Sequence, residues 1–596
     1  MIRVLLTTPK GSKVDGHQTE IRDGMHIEWD APIPANDGLL LRADVFRPPG
    51  EGKWPVILSY GPYGKLLVFG DQFTEQWTRM CDDHPDVPAG STNRYQSFEV
   101  CDPEKFVPYG YAVVRVDSRG TGRSPGNIDP WSAREAQDLY DCIEWAGAQD
   151  WSTGRVGLNG ISYLAMNQWQ AAALRPPHLE AMCVWEGAAD YYRDMGHHGG
   201  IMCTFSRAWY EPYVVILQNG LGTNGEPSSM TGGWVSGPET LTPEELAANR
   251  SDWHGDIIAN PLATDDFWVS RRPDLAKIEV PLLSAGNWGG QGLHPRGNFE
   301  GFLEAGSTQK WLEVHGLEHW THFYTDYGVG LQRRFFDYFL KQEDTGWSDQ
   351  PKIQLQIRHP GEVFVERHEG EWPIARTDWQ KLYLDPENSV IAPMPVTEAG
   401  SCTYLAVSDG VTFLTPPLKE ATEVTGPIAS KLFISSSTED ADLFLIVRVF
   451  TPDMKEVTFQ GSNDPHTPIA LGWLRASHRK LDLERSLEYR PYHTHDEVES
   501  LVPGEIYELD IEIWPTCIAV PAGYRIGLSI RGRDYEHAAG DPGSKGLKRM
   551  GVFTGVGPFR HDEAKSRPSA IFDNEVTLHC GPAHPSYLLL PTIPQK

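Results

Sequence analysis

Gly160-Ile161-Ser162-Tyr163-Leu164-Ala165 sets a serine among small residues, between a short apolar strand and a helix. The strand is Arg155-Val156-Gly157-Leu158-Asn159, lying behind the turn former Thr153-Gly154, and the helix runs from Ala165 to Ala173. A serine at such a corner turns its hydroxyl away from the sheet, and the amide of the next residue points into the same space. Gly160 leaves room for the tight backbone approach that the corner needs. A serine capping an ordinary helix has the same local look, so the remainder of the chain must decide between a nucleophile and a cap.

Outward from this corner the chain alternates strands and helices. Leu39–Phe46, Trp54–Tyr60, Tyr111–Asp117, Ala181–Glu186, Val280–Gly286 and Trp311–Gly316 read as strands, with helices over 134–148 and 331–340. Near-continuous apolar strands separated by helical stretches predict a mostly parallel sheet covered on both faces. The alternation fails over 191–277, a stretch rich in Trp, Gly, His and Met, which is expected to be a helical cap inserted over the site. From about 350 the pattern becomes short strands between Pro, Gly and Asp turns, which predicts an all-β sandwich over 350–596. The expected organisation is therefore 1–190 with 278–345 as an α/β domain, 191–277 as its cap, and a β domain after them.

Composition narrows the function. The net charge of −29 disfavours nucleic-acid and anionic-membrane partners, which need clustered Lys and Arg. It mildly favours neutral or cationic substrates. No apolar run is long enough to span a bilayer, and residues 1–10 hold too short an apolar run for a secretory signal. The eight cysteines are scattered without a C-x-x-C pair, so neither a zinc cluster nor a disulfide framework is expected, and a cytoplasmic location is. His197-His198 and His493-Thr494-His495-Asp496 have ligand-like composition. The first lacks carboxylate or cysteine partners at useful spacing and the second reads as a hydrogen-bonded turn, so no metal is expected at either.

A serine needs a base, and histidine suits that role near neutral pH. In an α/β-hydrolase the histidine follows the last core strand, where this chain has His315-Gly316-Leu317-Glu318-His319-Trp320-Thr321-His322. His319 sits where the imidazole would be delivered; His315 reads as still on the strand and His322 as past the bend. Together Gly160-Ile161-Ser162-Tyr163, Asp190-Tyr191-Tyr192-Arg193-Asp194, the helix over 135–145 leading to Gln149–Gly157, and the β-rich second half resemble the group of cocaine esterases, X-Pro dipeptidyl-peptidases and α-amino acid ester hydrolases. That resemblance implies an α/β-hydrolase domain with a cap and a C-terminal jelly roll. It also implies a serine hydrolase of esters or amides, without a cofactor, acting on a small molecule through an acyl-enzyme, with a homo-oligomer open. Peptidase, acylase and catalytically silent binding-protein readings stand as alternatives. Gly61-Pro62-Tyr63-Gly64-Lys65 matches the group's oxyanion segment, which makes Tyr63 and the Tyr163 amide the expected oxyanion donors.

Two departures from the group stand out. Ala165 replaces a glycine of its G-x-S-Y-x-G motif. More consequentially, the usual acid position is Gly290, and no carboxylate occurs between Gly286 and Phe299. Glu186, at the end of the strand after the nucleophile helix, is the expected substitute, with Glu300 and Glu318 as alternatives and Asp190 and Asp194 as structural residues.

Overall fold

A computed structural model describes residues 16–538 and 555–594; the stretch 1–10 read above for a secretory signal lies outside them. An eleven-stranded sheet carries the first half. Its central strands Ala112–Asp117, Trp54–Gly61, Ser152–Ile161, Leu179–Trp185, Leu282–Asn287 and Lys310–His315 lie side by side in that order, all parallel. Alternate residues serve opposite faces, as the period of a strand requires. Val56 and Leu58 pack with Leu139, Ile143 and Trp169 on one side, while Ile57 and Val113 share a cluster with Phe335 and Phe336 on the other. Gly157 is where a helix comes closest: a β-carbon there would lie 2.7 Å from Phe336.

The sheet extends further than the sequence suggested. At one edge the expected strand Leu40–Arg47 runs antiparallel to Ala112–Asp117, and Met25–Pro34 adds a further antiparallel strand outside it. At the other edge Ile353–His359 runs parallel to Lys310–His315, and Val363–Glu369 turns back antiparallel to it. These two strands lie beyond position 350 in the chain and yet extend the first sheet. The helix Asp326–Leu340 is the crossover that lets Ile353–His359 join in parallel, while the exposed outer strand of the hairpin carries the alternating pattern also expected of a sandwich.

The second half is an all-β domain beginning with Asp378–Asp385. Its twelve-stranded sheet closes on itself, because Tyr587–Ile593 pairs with both Asp378–Asp385 and Thr422–Ser436. Between the two halves, Trp288, Phe299 and Ile353 share a buried cluster with Cys517 and Ile593. The cap is built of short helices, among them Phe205–Trp209, Pro243–Ala248 and Trp253–Ala259, with a two-stranded ribbon pairing His197–His198 with Ile201–Met202. No helix among the described residues is long and apolar enough to cross a membrane.

Candidate active site

The strand Ser152–Ile161 ends in a sharp corner and the helix Tyr163–Ala173 begins on its far side. Ser162 takes φ 57° and ψ −116°, a strained conformation for a residue with a side chain. Its amide is tied to the Trp185 carbonyl at 3.1 Å. Gly160 has φ 155°, and a β-carbon on it would sit 2.6 Å from that of Leu164. Ala165 fits where the related group has glycine because Gly187 faces it: a β-carbon on Gly187 would come within 3.0 Å of the Ala165 methyl.

Two donors converge beside Ser162. Tyr163 opens its helix, so its amide has no carbonyl partner within that helix. Tyr63 lies on a loop pinned by Lys65, whose ammonium sits 2.7 Å from both Asp30 and Asp44. Burial, the charge of Glu99 and further neighbours keep the Tyr63 phenol well above its usual range, against hydrogen bonds to Trp209 and Ser162, so it remains a donor. Trp209 of the cap donates its indole N–H to the Tyr63 oxygen at 3.1 Å. Because an indole can only donate, this contact leaves the phenolic proton free for another acceptor.

His319 follows the strand Lys310–His315 and points both ring nitrogens at carboxylates. Nδ1 is 2.7 Å from Glu186 Oε2 and Nε2 is 3.0 Å from Glu99 Oε1. Burial opposes the charged imidazole, but the two carboxylates prevail and raise its pKa to about 10. Glu186, fully buried at the end of Leu179–Trp185, also accepts from Ser462 Oγ at 2.9 Å and Asn287 Nδ2 at 3.2 Å, with His315 Nε2 at 3.4 Å. Burial would push this carboxyl up; the charge of His319 and the hydrogen bonds of the two histidines hold it well below the ordinary range.

Sequence reasoning missed Glu99, His294 and Ser462. Burial raises the Glu99 pKa to about 7 despite the opposing pull of His319, and its second oxygen is buried without a hydrogen-bond partner. His294 stacks on His319, ring centroids 5.0 Å apart, and its Nε2 is 3.5 Å from Ser162 Oγ. Burial and the neighbouring His319 charge lower its pKa to about 3, so it stands neutral. A charged residue in the apolar run Phe98-Glu99-Val100 was the one signal available for Glu99. Ser462 gave none, being 276 positions from its partner.

The other expected candidates are placed elsewhere. Glu300 is engaged by Arg490 at 3.0 Å, and Glu318 by Arg79 at 3.3 Å. Asp190 pairs with Arg193 and Asp194 with Arg296, in keeping with structural roles. His315 spends Nδ1 on Glu313 at 2.7 Å, and His322 packs edge-on against it. In the turn at 493–496, Thr494 bonds Asp496 and the carbonyls of His493 and Thr494 accept from Arg193.

Comparison with known proteins identifies relatives over the whole chain. The family model of X-Pro dipeptidyl-peptidases (S15 family) matches residues 37–324, and that of the X-Pro dipeptidyl-peptidase C-terminal non-catalytic domain matches 345–589. A crystal structure of a CocE/NonD family hydrolase from Staphylococcus aureus is 32% identical with a TM-score of 0.82, covering 97% of each chain. Cocaine esterase from Rhodococcus sp. is 24% identical over 94% of this chain and 97% of its own. The fold also matches an α-amino acid ester hydrolase, at 15% identity, a TM-score of 0.65, and coverage of 98% of this chain and 100% of that one.

Proposed function

This chain belongs to the X-Pro dipeptidyl-peptidase S15 family and is a serine hydrolase of ester or amide bonds, and from that premise we propose Ser162 as nucleophile, His319 as base and Glu186 as acid. The observation that carries the assignment is the 2.7 Å contact between Glu186 and His319 Nδ1. It holds the proton on Nδ1, so that Nε2 becomes the proton acceptor once it has released the proton shared with Glu99. Ser162 Oγ attacks the substrate carbonyl while its proton passes to Nε2. The oxyanion so formed accepts from the Tyr63 hydroxyl and the Tyr163 amide. Collapse expels the leaving group with the proton from Nε2, and water repeats the cycle on the acyl-enzyme. His294 is a poor alternative base, since an imidazole that sheds its proton near pH 3 has little affinity for the serine's.

Labelling with a fluorophosphonate tests the nucleophile: an adduct on Ser162 that is lost in Ser162→Ala is expected, and a folded protein that stays unlabelled would refute the reading. Tyr63→Phe is expected to lower kcat about 10²–10³-fold, the usual effect of one lost oxyanion donor.

The unpartnered oxygen of Glu99 favours a narrower substrate class. A carboxylate held beside the nucleophile, with spare acceptor capacity, suits a substrate whose ammonium group lies close to the scissile carbonyl. Pairing with that ammonium would also draw Glu99 off His319 Nε2. Amino-acid esters or peptides with a free N-terminus are therefore favoured over plain esters. Comparing kcat/KM for an amino-acid ester and its N-acetyl derivative tests this; equal values would remove it. A cytoplasmic location fits the eight cysteines, all of them unpaired.

A further inference from the structure

Away from Ser162, the docking of the cap on the β domain brings together three side chains that no step above uses. His198 lies on the cap ribbon, Cys203 directly follows that ribbon, and His561 comes from the β domain; all three are buried. One ligand-capable atom from each lies within 4.8 Å of the others. The ribbon is seated tightly, with the Thr204 amide bonded to the Arg560 carbonyl at 2.7 Å and the Arg475 amide to the Gly199 carbonyl at 2.9 Å.

The hydrogen bonds place a proton on the outer nitrogen of each imidazole. His198 Nε2 is 3.1 Å from the Asp194 carbonyl, which can only accept, so that nitrogen is the donor. His561 Nδ1 is 2.8 Å from Asp534 Oδ1, while the other oxygen of Asp534 accepts the His561 amide at 2.7 Å. With the carboxylate as acceptor, Nδ1 of His561 is the donor. The two remaining nitrogens, His198 Nδ1 and His561 Nε2, then face each other at 2.9 Å with a lone pair each. Two lone pairs at that distance repel unless a proton or a metal cation lies between them.

We propose that His198 Nδ1, His561 Nε2 and Cys203 Sγ form a binding site for one zinc-class divalent cation that fastens the cap ribbon to the β domain. The chemistry fits in three ways. A thiolate with two imidazoles is a ligand set that zinc favours, leaving a fourth position for water. Each imidazole is oriented by a hydrogen bond at its outer nitrogen, from His561 to a carboxylate and from His198 to a carbonyl, the arrangement usual around bound zinc. Tetrahedral bonds of about 2.0–2.1 Å place two nitrogens some 3.4 Å apart, so the rings need open by only about half an ångström. Binding forms the Zn–S bond and releases the Cys203 thiol proton to solvent. Trp473 and Trp514 pack against the His198 ring, and Phe444 against His561, shielding the site. The sequence concealed it because His561 is 363 positions from His198.

The full-length protein is stripped with a chelator and reloaded with Zn²⁺ or Co²⁺. One metal per chain by mass spectrometry is expected, together with a higher unfolding temperature than the stripped form and a thiolate-to-cobalt absorption in the near ultraviolet. Cys203→Ser is expected to abolish that absorption, and Asp534→Asn to weaken Zn²⁺ affinity about 10–100-fold. Wild-type protein that stays folded yet retains far less than one metal per chain would overturn the proposal, leaving a proton shared between the imidazoles. So would a cobalt spectrum lacking the thiolate band, a readout that needs no variant to fold.

Discussion

Two neighbouring parallel strands end beside His319, and only one of them offers a carboxylate. Leu179–Trp185 runs into Glu186, whereas Leu282–Asn287 pairs alongside it and leads into Trp288, Gly289 and Gly290. Packing explains the contrast. Gly289 is pressed on the β domain, where a β-carbon would lie 2.3 Å from Gly461, and one on Gly290 would lie 3.2 Å from Ser462 Oγ. The volume in which an acidic side chain would grow from the second strand is filled by the loop carrying Ser462. That same serine donates to Glu186, and Asn287 turns its amide to the same carboxylate. On the proposed assignment the second strand supports the acid on the first, and the triad geometry would constrain where the carboxylate ends while leaving open the strand from which it starts.

The comparison can be broken most forcefully at Glu186. Glu186→Gln is expected to lower kcat by about 10⁴-fold through loss of tautomer control. Adding Gly290→Asp to that variant is expected to restore nothing, because the new side chain meets Ser462; recovery of turnover would show the two strand ends to be interchangeable. Ser462→Ala removes one donor to the carboxylate and is expected to cost about tenfold in kcat, in line with a hydrogen bond to a charged group. An unchanged kcat would demote the β domain to packing.

The smallest effect concerns pH. Glu186 stays ionised far into acid, so the acid limb of kcat/KM belongs to the Glu99 and His319 pair, which shares a proton at Nε2 that must leave before Ser162 can deliver its own. Removing the Glu99 charge lowers the proton affinity of His319. Glu99→Gln therefore moves the acid limb to lower pH, and a pH–rate profile that does not move would take Glu99 out of the relay.

What the sequence made legible was local. Ser162, Tyr63 and His319 each sit in a short segment whose turn chemistry is visible residue by residue, and the buried strands announce the sheet. Glu186 could be reached only through the lack of a carboxylate over 286–299, which forced the search to the next strand. Glu99, His294 and Ser462 stayed hidden because their significance lies in contacts made after folding, across 220, 132 and 276 positions. The sheet membership of the hairpin at 353–369 was hidden for a related reason, since its exposed edge strand, Val363–Glu369, looks alike in any sheet.

Ser462 also receives His319: its carbonyl accepts the His319 amide at 3.2 Å, and its own amide bonds the Gly289 carbonyl at 3.1 Å. One residue of the second half thus touches His319, Glu186 and the neighbouring strand end together. Turnover therefore serves as a gauge of interdomain assembly. A lesion that loosens the 459–467 loop is expected to silence the enzyme while leaving the Ser162 corner fully formed, and either half expressed alone is expected to lack turnover.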